Sequence, residues 1–334
     1  MADVSKEPVR VAVLGTGSIG WRHLAVLKSM PNVRPIAVPL RLERRAELAR
    51  EGYDVCGNIE QALAAGARIA FIATDTSRHA KDALAALKLG MHLMVEKPLA
   101  CTASEARPIR DGAATAHTVV AVGCVLRFST SLNEFRRLLP AIGPLHSVRI
   151  VCHSYLPDWR PQRPYREGYS ARANEGGVLR DLIHEIDYAG WLFGWPTTLQ
   201  AKVRNTGRLG IDSDEAADLL WETPGGAIVS ISLDYLSRPQ RRGIQAFGSE
   251  GLLEWDAETD VVELQQPGRL PSRKTLEQEL NAQYEAQAAS FLRAAGGAAE
   301  PDLARAEVGV RALAICDAAR RASENRREEP VDYS

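Results

Sequence analysis

Three glycines near the start of the chain have the spacing of a phosphate-binding turn. Gly15, Gly17 and Gly20 form Gly-x-Gly-x-x-Gly between a predicted strand and a predicted helix, the context that separates a binding turn from a glycine-rich turn without a ligand. The second glycine lets a pyrophosphate approach the backbone, and the helix N-terminus offers it free N–H groups. A dinucleotide is therefore expected here. Its predicted contacts in the turn are Gly15, Thr16, Gly17, Ser18, Ile19 and Gly20.

The end of the second predicted strand indicates which dinucleotide binds. An NAD site usually carries an acidic residue about 20 residues after the glycine turn, where it bonds the ribose hydroxyls. Here the segment Val38-Pro39-Leu40-Arg41 contains no carboxylate and is followed by Arg44 and Arg45. Arg41 could bind a 2′-phosphate, which favours NADP over NAD as the cofactor. The alternative is that these arginines form a solvated helix face.

A lysine follows a predicted buried strand, at the edge where ligands bind in open α/β sheets. Pro98 disfavours the helical conformation at Lys97 and permits a cis bond, so the turn Glu96-Lys97-Pro98 holds this lysine extended. A lysine held there can reach the nicotinamide end of a cofactor that lies across the strand ends. By itself, the tripeptide could also be an ordinary exposed turn.

A helix predicted at about residues 180–193 carries a second set of polar side chains. Polar and aromatic residues recur on it at steps of three and four and make one face, opposite an apolar face that packs inward. They are Asp181, His184, Tyr188 and Trp191. A neutral His184 near the helix start could accept a hydroxyl proton, while Lys97 hydrogen-bonds the same oxygen. The alternatives are that Glu185 or Asp187 satisfies a partly buried His184, and that Asp181 only complements the helix dipole.

A loop rich in proline, arginine and tyrosine, residues 156–174, is long enough to be functional. Aromatic faces stack on sugar rings, and arginines pair with carboxylates or phosphates. The loop could therefore bind a phosphorylated, acidic or nucleotide-linked sugar, or it could wrap a partner subunit. Its predicted substrate contacts are Trp159, Arg163, Tyr165 and Tyr169.

Alternating strands and helices must position these residues. Up to residue 125 the alternation predicts an α/β domain with a doubly wound parallel sheet. Its predicted strands are residues 9–14, 34–38, 67–73, 92–95 and 119–125. Between residues 200 and 264, several strands joined by turns predict a larger, mainly antiparallel sheet. The predicted division is a dinucleotide-binding domain at 1–125 and an α+β domain for substrate binding and oligomerisation at 126–334.

The composition argues against several classes of protein. The 334 residues carry a net charge of −1 with acidic and basic residues mixed, which argues against nucleic-acid and membrane-surface partners. No apolar run is long enough to span a bilayer and no apolar signal region precedes the first strand, so a cytoplasmic location is expected. The five cysteines are scattered singly, so neither a disulfide framework nor a metal site is predicted.

In combination, these motifs resemble the Gfo/Idh/MocA family of NAD(P)-dependent sugar and cyclitol oxidoreductases. The resemblance covers nearly the whole chain and implies a Rossmann domain followed by a domain with a large open-faced sheet. The motifs that carry it, besides the glycine turn, are Phe71-Ile72-Ala73-Thr74-Asp75 with His79, Gly90, Glu96-Lys97-Pro98, Arg127-Phe128 and the segment from Gly176 to Asp187.

The resemblance implies roles for individual residues. Lys97, Asp181 and His184 would line the active site as catalytic residues, the last two also contacting substrate, and Arg127 would be a further substrate contact. Additional cofactor contacts would be Thr74, His79, Glu96 and Lys97.

Two positions depart from the family pattern. Asp75 stands where the family usually has proline, in the loop over the cofactor. Asp181 lies three residues before His184, whereas the family aspartate usually lies four residues before its histidine. A different direction for the Asp181 side chain is therefore expected.

The expected reaction is reversible hydride transfer between a nicotinamide and a secondary hydroxyl or keto group of a sugar, cyclitol or sugar derivative. One alternative is a reductase of an imine or enone-like substrate. Another is a non-catalytic NADP-binding sensor, in which Lys97 would be dispensable. The expected partners are a small sugar-type substrate and further copies of the chain in a homodimer or homotetramer.

Overall fold

The computed structural model describes residues 7–334, and the first part of this chain folds into a six-stranded parallel sheet. The strands are β1 (Val9–Leu14), β2 (Val33–Val38), β3 (Asp54–Val55), β4 (Ile69–Ile72), β5 (His92–Val95) and β6 (Val120–Val122). They lie in the order β3-β2-β1-β4-β5-β6, so the direction of winding reverses at β1 and β4. This confirms the predicted doubly wound Rossmann sheet, whose ligands bind at the carboxyl edge of the strands.

Helices connect the parallel strands, as a parallel sheet requires. They are α1 (Ser18–Ser29), α2 (Leu42–Arg50), α3 (Ile59–Ala64), α4 (Thr76–Lys88) and α5 (Ala103–Thr115). Every residue of β4 is buried, which matches the continuous apolar run that predicted a strand covered on both faces.

The later part of the chain forms a nine-stranded, mainly antiparallel sheet, which confirms the second half of the fold prediction. The strands are β7 (Leu145–Tyr155), β8 (Thr198–Arg204), β9 (Ala216–Glu222), β10 (Ile228–Asp234), β11 (Leu236–Gly248), β12 (Gly251–Asp256), β13 (Val261–Gln265), β14 (Ser272–Thr275) and β15 (Glu329–Pro330). Their order is β14-β13-β12-β11-β7-β10-β9-β8-β15, and β7 pairs with β10 in parallel.

One face of this sheet is packed and the other is open. Along β10 the buried residues Val229, Ile231 and Leu233 alternate with less buried polar ones, as the two-residue period of a strand requires. The remaining helices are α6 (Thr130–Leu138), α7 (Val178–Asp181), α8 (Ile183–Phe193), α9 (Leu280–Ala295) and α10 (Ala306–Asn325). Among the helices of residues 7–334, none is both long and apolar enough to cross a bilayer.

The chain divides into two compact units that are not contiguous in sequence. The first comprises the chain through Ala100, Ser104–Val125 and Leu280–Glu307; the second comprises Cys101–Ala103, Leu126–Glu279 and Val308–Ser334. Aromatic packing explains why α9 belongs to the first unit, because the Phe291 ring lies edge-on to Phe71 of β4 at 5.6 Å.

Candidate active site

Two glycines of the phosphate-binding turn are required by the protein's own backbone. Gly15 has a φ of +89°, and a Cβ there would lie 2.5 Å from the carbonyl oxygen of Ala73. A Cβ at Gly20 would overlap the carbonyl oxygen of Gly15. These close approaches bring β1, β4 and α1 together, so any other residue at either position would displace main chain.

The middle glycine of the turn is not required by any close contact within the protein. Gly17 is exposed with a φ of −71°, and no described atom lies within 4 Å of the Cβ that another residue would add. α1 begins directly after it, with no acidic residue in its first turn. The turn thus leaves open space beside free helix N–H groups, and these residues fit the pyrophosphate of a dinucleotide.

The three arginines after β2 have different surroundings. Arg44 pairs with Glu47 at 2.6 Å, and Arg45 donates a hydrogen bond to the carbonyl oxygen of Gly57 at 3.1 Å. Arg41 is the exposed N-cap residue of α2 and forms no hydrogen bond or ion pair with any residue from 7 to 334. Arg41 is therefore the one of these three that keeps its guanidinium available to a ligand.

A buried carboxylate holds the turn that carries Lys97. Oε1 of Glu96 lies 2.7 Å from Nε2 of His23 on α1, and Oε2 accepts the backbone N–H of Lys97 at 3.2 Å. Burial raises the pKa of the Glu96 carboxyl, but the hydrogen bond from His23 and the electrostatic attraction of His23 and Lys97 outweigh it, so the pKa lies below its ordinary value. Sequence reasoning missed His23, because nothing local signals a partner 73 residues away.

The other side of the same turn contacts His79 of α4. This ring is 1% exposed, with Nδ1 2.7 Å from the carbonyl oxygen of Pro98 and Nε2 2.9 Å from that of Thr74. The Thr74 hydroxyl donates to Asp82 at 2.9 Å. The Lys97–Pro98 peptide bond is cis, and Lys97 itself is half-buried at the carboxyl end of β5. Each ring nitrogen of His79 therefore faces a main-chain carbonyl oxygen.

The helix predicted at residues 180–193 is confirmed over Ile183–Phe193, but it is interrupted at Leu182, so its predicted continuity was wrong. α7 ends at Asp181, Leu182 has φ −98° and ψ 31°, and α8 begins at Ile183. Asp181 and His184 therefore do not share one helix face. Near the start of α7, the carboxylate of Asp214 accepts the N–H of Leu179 at 3.2 Å. His184, 8% exposed, lies in the first turn of α8.

Asp181 is joined to an aromatic pair that sequence reasoning did not find. The hydroxyl of Tyr235 donates to Oδ2 of Asp181 at 2.6 Å, and both residues are buried. Burial, reinforced by the negative charge of Asp181, raises the pKa of Tyr235 well above its ordinary value, so the phenol stays a donor. The ring of Trp159 lies edge-on to Tyr235 at 5.3 Å, and its N–H donates to Ser154 at 3.1 Å.

Two ion pairs, one buried and one with a partly exposed arginine, hold α8 in the second unit. Nε and Nη2 of Arg127 donate to the two carboxylate oxygens of Asp187 at 3.0 and 2.7 Å. Nε of Arg242 lies 2.9 Å from Oε1 of Glu185, which is fully buried. The carboxylates that flank His184 on its own helix are therefore each engaged by an arginine from another element.

The other predicted loop residues lie in two short 3₁₀ turns and the segment before them. The Tyr165 hydroxyl donates to the carbonyl oxygen of Leu209 at 3.0 Å, while Arg163 is exposed. The Arg160 guanidinium lies 6.0 Å from the ring centre of half-buried Tyr169. Across the described chain from residue 7 onward, no group of three or more histidine, cysteine or acidic residues is placed to hold a metal ion.

Comparison with known proteins matches both units to one family. The model described as an oxidoreductase family with an NAD-binding Rossmann fold matches residues 9–124, and the Gfo/Idh/MocA C-terminal domain matches residues 139–254. The rhizopine catabolism protein MocA of Rhizobium meliloti is 28% identical over 326 residues, which are 93% of each chain. Levoglucosan dehydrogenase of Pseudarthrobacter phenanthrenivorans is 28% identical over 203 residues, 56% of this chain and 51% of that one.

A solved structure shows the same fold. Levoglucosan dehydrogenase in complex with NADH superposes with a TM-score of 0.87 at 19% identity, covering 97% of this chain and 99% of that one. The sheet order and the open glycine turn are those of a dinucleotide-binding domain. The chain belongs to the Gfo/Idh/MocA family, which confirms both the predicted family and the predicted class of NAD(P)-dependent oxidoreductase.

Proposed function

We propose that this protein catalyses the reversible NAD(P)-linked oxidation of a secondary hydroxyl on a sugar, cyclitol or sugar derivative. The observation that carries the proposal lies at one edge of the parallel sheet. The glycine turn follows β1, Thr74 lies two residues after β4, and the Lys97 turn follows β5, and these three strands are neighbours in the sheet. The family relationship to levoglucosan dehydrogenase supports a sugar-type substrate.

The proposed catalytic roles divide between Lys97, His184 and Asp181. When bound, the nicotinamide accepts the hydride in oxidation and returns it in reduction. Nζ of Lys97 donates a hydrogen bond to the reacting oxygen and stabilises negative charge on it. His184, in the first turn of α8, accepts the hydroxyl proton. Asp181, oriented by Tyr235, binds a substrate hydroxyl.

The proposed cofactor contacts follow from the open space at Gly17 and from Arg41. N–H groups in the first turn of α1 hold the pyrophosphate. The exposed Arg41 guanidinium binds a 2′-phosphate, so we expect NADP to be preferred over NAD. Of the predicted substrate contacts, Trp159, Arg163, Tyr165 and Tyr169 remain candidates. We assign Arg127 to holding α8, because its Nε and Nη2 are engaged by Asp187.

The proposal extends to location and assembly. We expect a cytoplasmic enzyme, in keeping with five cysteines that all carry free thiols. We also expect a homodimer or homotetramer formed through the open sheet face, where Leu220 and Ile228 are 43% and 42% exposed. Light scattering after size exclusion measures this directly, and a monomer at micromolar concentration would contradict it.

The function is tested by following NAD(P)H absorbance with a panel of sugars, inositols and nucleotide sugars, each with NAD and with NADP. On the best substrate, we expect Lys97→Met and His184→Phe to lower kcat by about 10²–10⁴, the usual contribution of a positioned proton-transfer group. NADPH affinity, measured beside kcat, separates a loss of turnover from a loss of cofactor binding. The matched control is Lys88→Met, an exposed lysine at the end of α4. Normal turnover in both site variants would contradict the catalytic roles, and a clear NAD preference would contradict the role of Arg41.

A further inference from the structure

Two buried histidines contact the Lys97 turn, one on each side of the lysine. We propose that His23 and His79 are positioning residues for Lys97: His23 holds the residue before it and His79 the residue after it. The inference rests on the proposed function of Lys97 and adds two residues that act through the backbone of its turn. We call these two residues the histidine pair.

The contact before the lysine runs through Glu96. An ionised carboxylate only accepts hydrogen bonds, so Nε2 of His23 is the donor to Oε1 across 2.7 Å. The second oxygen of Glu96 accepts the Lys97 N–H at 3.2 Å. Gly123 directly follows β6, and a Cβ there would lie 2.9 Å from Oε2 of Glu96. The main chain at Gly123 therefore packs directly against this carboxylate. Glu96 is therefore fixed from three sides.

The ring of His23 has no competing hydrogen bond. Its exposed fraction is 2%, and its edge contacts are Phe71, at 5.0 Å between ring centres, and Tyr284, at 5.7 Å. Nδ1 has no hydrogen-bond partner among residues 7–334. Among the described residues, Glu96 is therefore the side chain to which His23 hydrogen-bonds. Because His23 lies on α1, it links the helix of the glycine turn to the lysine turn.

His79 contacts the residue after the lysine through a main-chain carbonyl oxygen. Carbonyl oxygens only accept, so a nitrogen of His79 that bonds one must carry a proton. Nδ1 lies 2.7 Å from the Pro98 oxygen and Nε2 lies 2.9 Å from the Thr74 oxygen. We assign the positioning role to the Nδ1 contact, because Pro98 directly follows Lys97. Nε2 of the same ring faces the carbonyl oxygen of Thr74, in the loop after β4.

Matched amide variants separate this role from simple core packing. A glutamine amide can replace an Nε2 donor, whereas an asparagine amide replaces an Nδ1 donor. The inference therefore predicts opposite rescue at the two sites. His23→Gln and His79→Asn should preserve the turn, whereas His23→Asn and His79→Gln should loosen it. If the two histidines served packing alone, the same amide residue, either glutamine or asparagine, would be the better replacement at both positions.

The first measurement needs neither substrate nor cofactor. Hydrogen exchange of the Lys97 amide, resolved by fragmentation mass spectrometry, should accelerate about tenfold in His23→Asn and His79→Gln, the size expected for one lost buried hydrogen bond. The two rescuing variants should exchange within about twofold of wild type, since their hydrogen bond is kept. The control is His92→Ala, which removes a side-chain contact to the Val119 N–H at the opposite end of β5.

The second measurement is kcat on the best sugar of the substrate panel, with NADPH affinity measured beside it. The loosened variants should lose about tenfold in kcat, since the proton-transfer group is displaced. If Lys97→Met impairs turnover but all four histidine variants match wild type in kcat and exchange, the inference is wrong and the proposed function stands. If Lys97→Met itself retains normal turnover, the proposed catalytic role of Lys97 fails and the inference fails with it.

Discussion

Two helices begin beside the proposed site residues, and their first turns differ. α1 starts after an exposed glycine, has no acidic residue in its first turn and leaves open space beside Gly17. α8 starts inside the second unit, where every residue from Ile183 to Gly190 is buried. Its carboxylates at Glu185 and Asp187 are engaged by Arg242 and Arg127.

The difference lies in what surrounds the first turn of each helix. An open helix start has unused N–H groups, and an anionic ligand can accept hydrogen bonds from them. The negative charge of the ligand is therefore part of how such a site binds. α8 instead starts buried, and the ion pairs of Glu185 and Asp187 fix the rotation of the helix that carries His184. Changes at α8 should therefore alter folding first, whereas changes at the start of α1 should alter binding first.

The largest expected effect comes from breaking the ion pair beneath α8. Asp187→Ala leaves the Arg127 guanidinium, 4% exposed, without this carboxylate and should lower the free energy of unfolding by about 3–5 kcal/mol in urea titrations. The control is Asp158→Ala, which breaks a bidentate pair with Arg238 whose two side chains are each 60% exposed. That change should cost much less, because water solvates the partner. Equal losses for the two variants would contradict the role given to burial.

A smaller effect is expected from removing one hydroxyl. Tyr235→Phe deletes the donor to Asp181 and should cost about 1–3 kcal/mol of stability, because a buried carboxylate loses a hydrogen bond. We also expect kcat/KM on the best sugar to fall by about tenfold, with NADPH affinity unchanged. Tyr333→Phe is the matched control, since its hydroxyl donates to the main-chain carbonyl of Pro196 at 2.7 Å. The proposed orientation of Asp181 is wrong if Tyr235→Phe and the control have the same kcat/KM.

The smallest effect on folding is expected at the open helix start. Gly17→Ala adds a methyl group where no described atom lies within 4 Å, so thermal unfolding should be unchanged or slightly raised. Dinucleotide affinity, measured by NADPH fluorescence, should fall at least about tenfold because the methyl group occupies the approach to the backbone. The control Gly225→Ala lies in the β9–β10 hairpin and should alter neither quantity. Unchanged NADPH affinity in Gly17→Ala would contradict the assignment of this space to the pyrophosphate.

Local patterns predicted most of the parallel sheet. The strand at His92–Val95 was predicted with the bounds observed, and β1 likewise, because buried strands read as continuous apolar runs between turn residues. The short strand β3 and the helix α3 were missed, since two and six residues are too few for a clear period. The helix at 180–193 was predicted as continuous because its periodicity continues across Leu182, where the backbone turns.

The sequence alone was sufficient for the glycine turn, the lysine turn and the two sheets. Glycine spacing, proline stiffness and hydrophobic period are properties of neighbouring residues, so they can be recognised before folding. Only the tertiary structure decided the contacts between His23 and Glu96, 73 residues apart, and between Asp181 and Tyr235, 54 residues apart. Side-chain pairs at such separations leave no local pattern, because their distance is set by the packing of whole strands and helices. The same packing decided that α8 starts buried and α1 starts open.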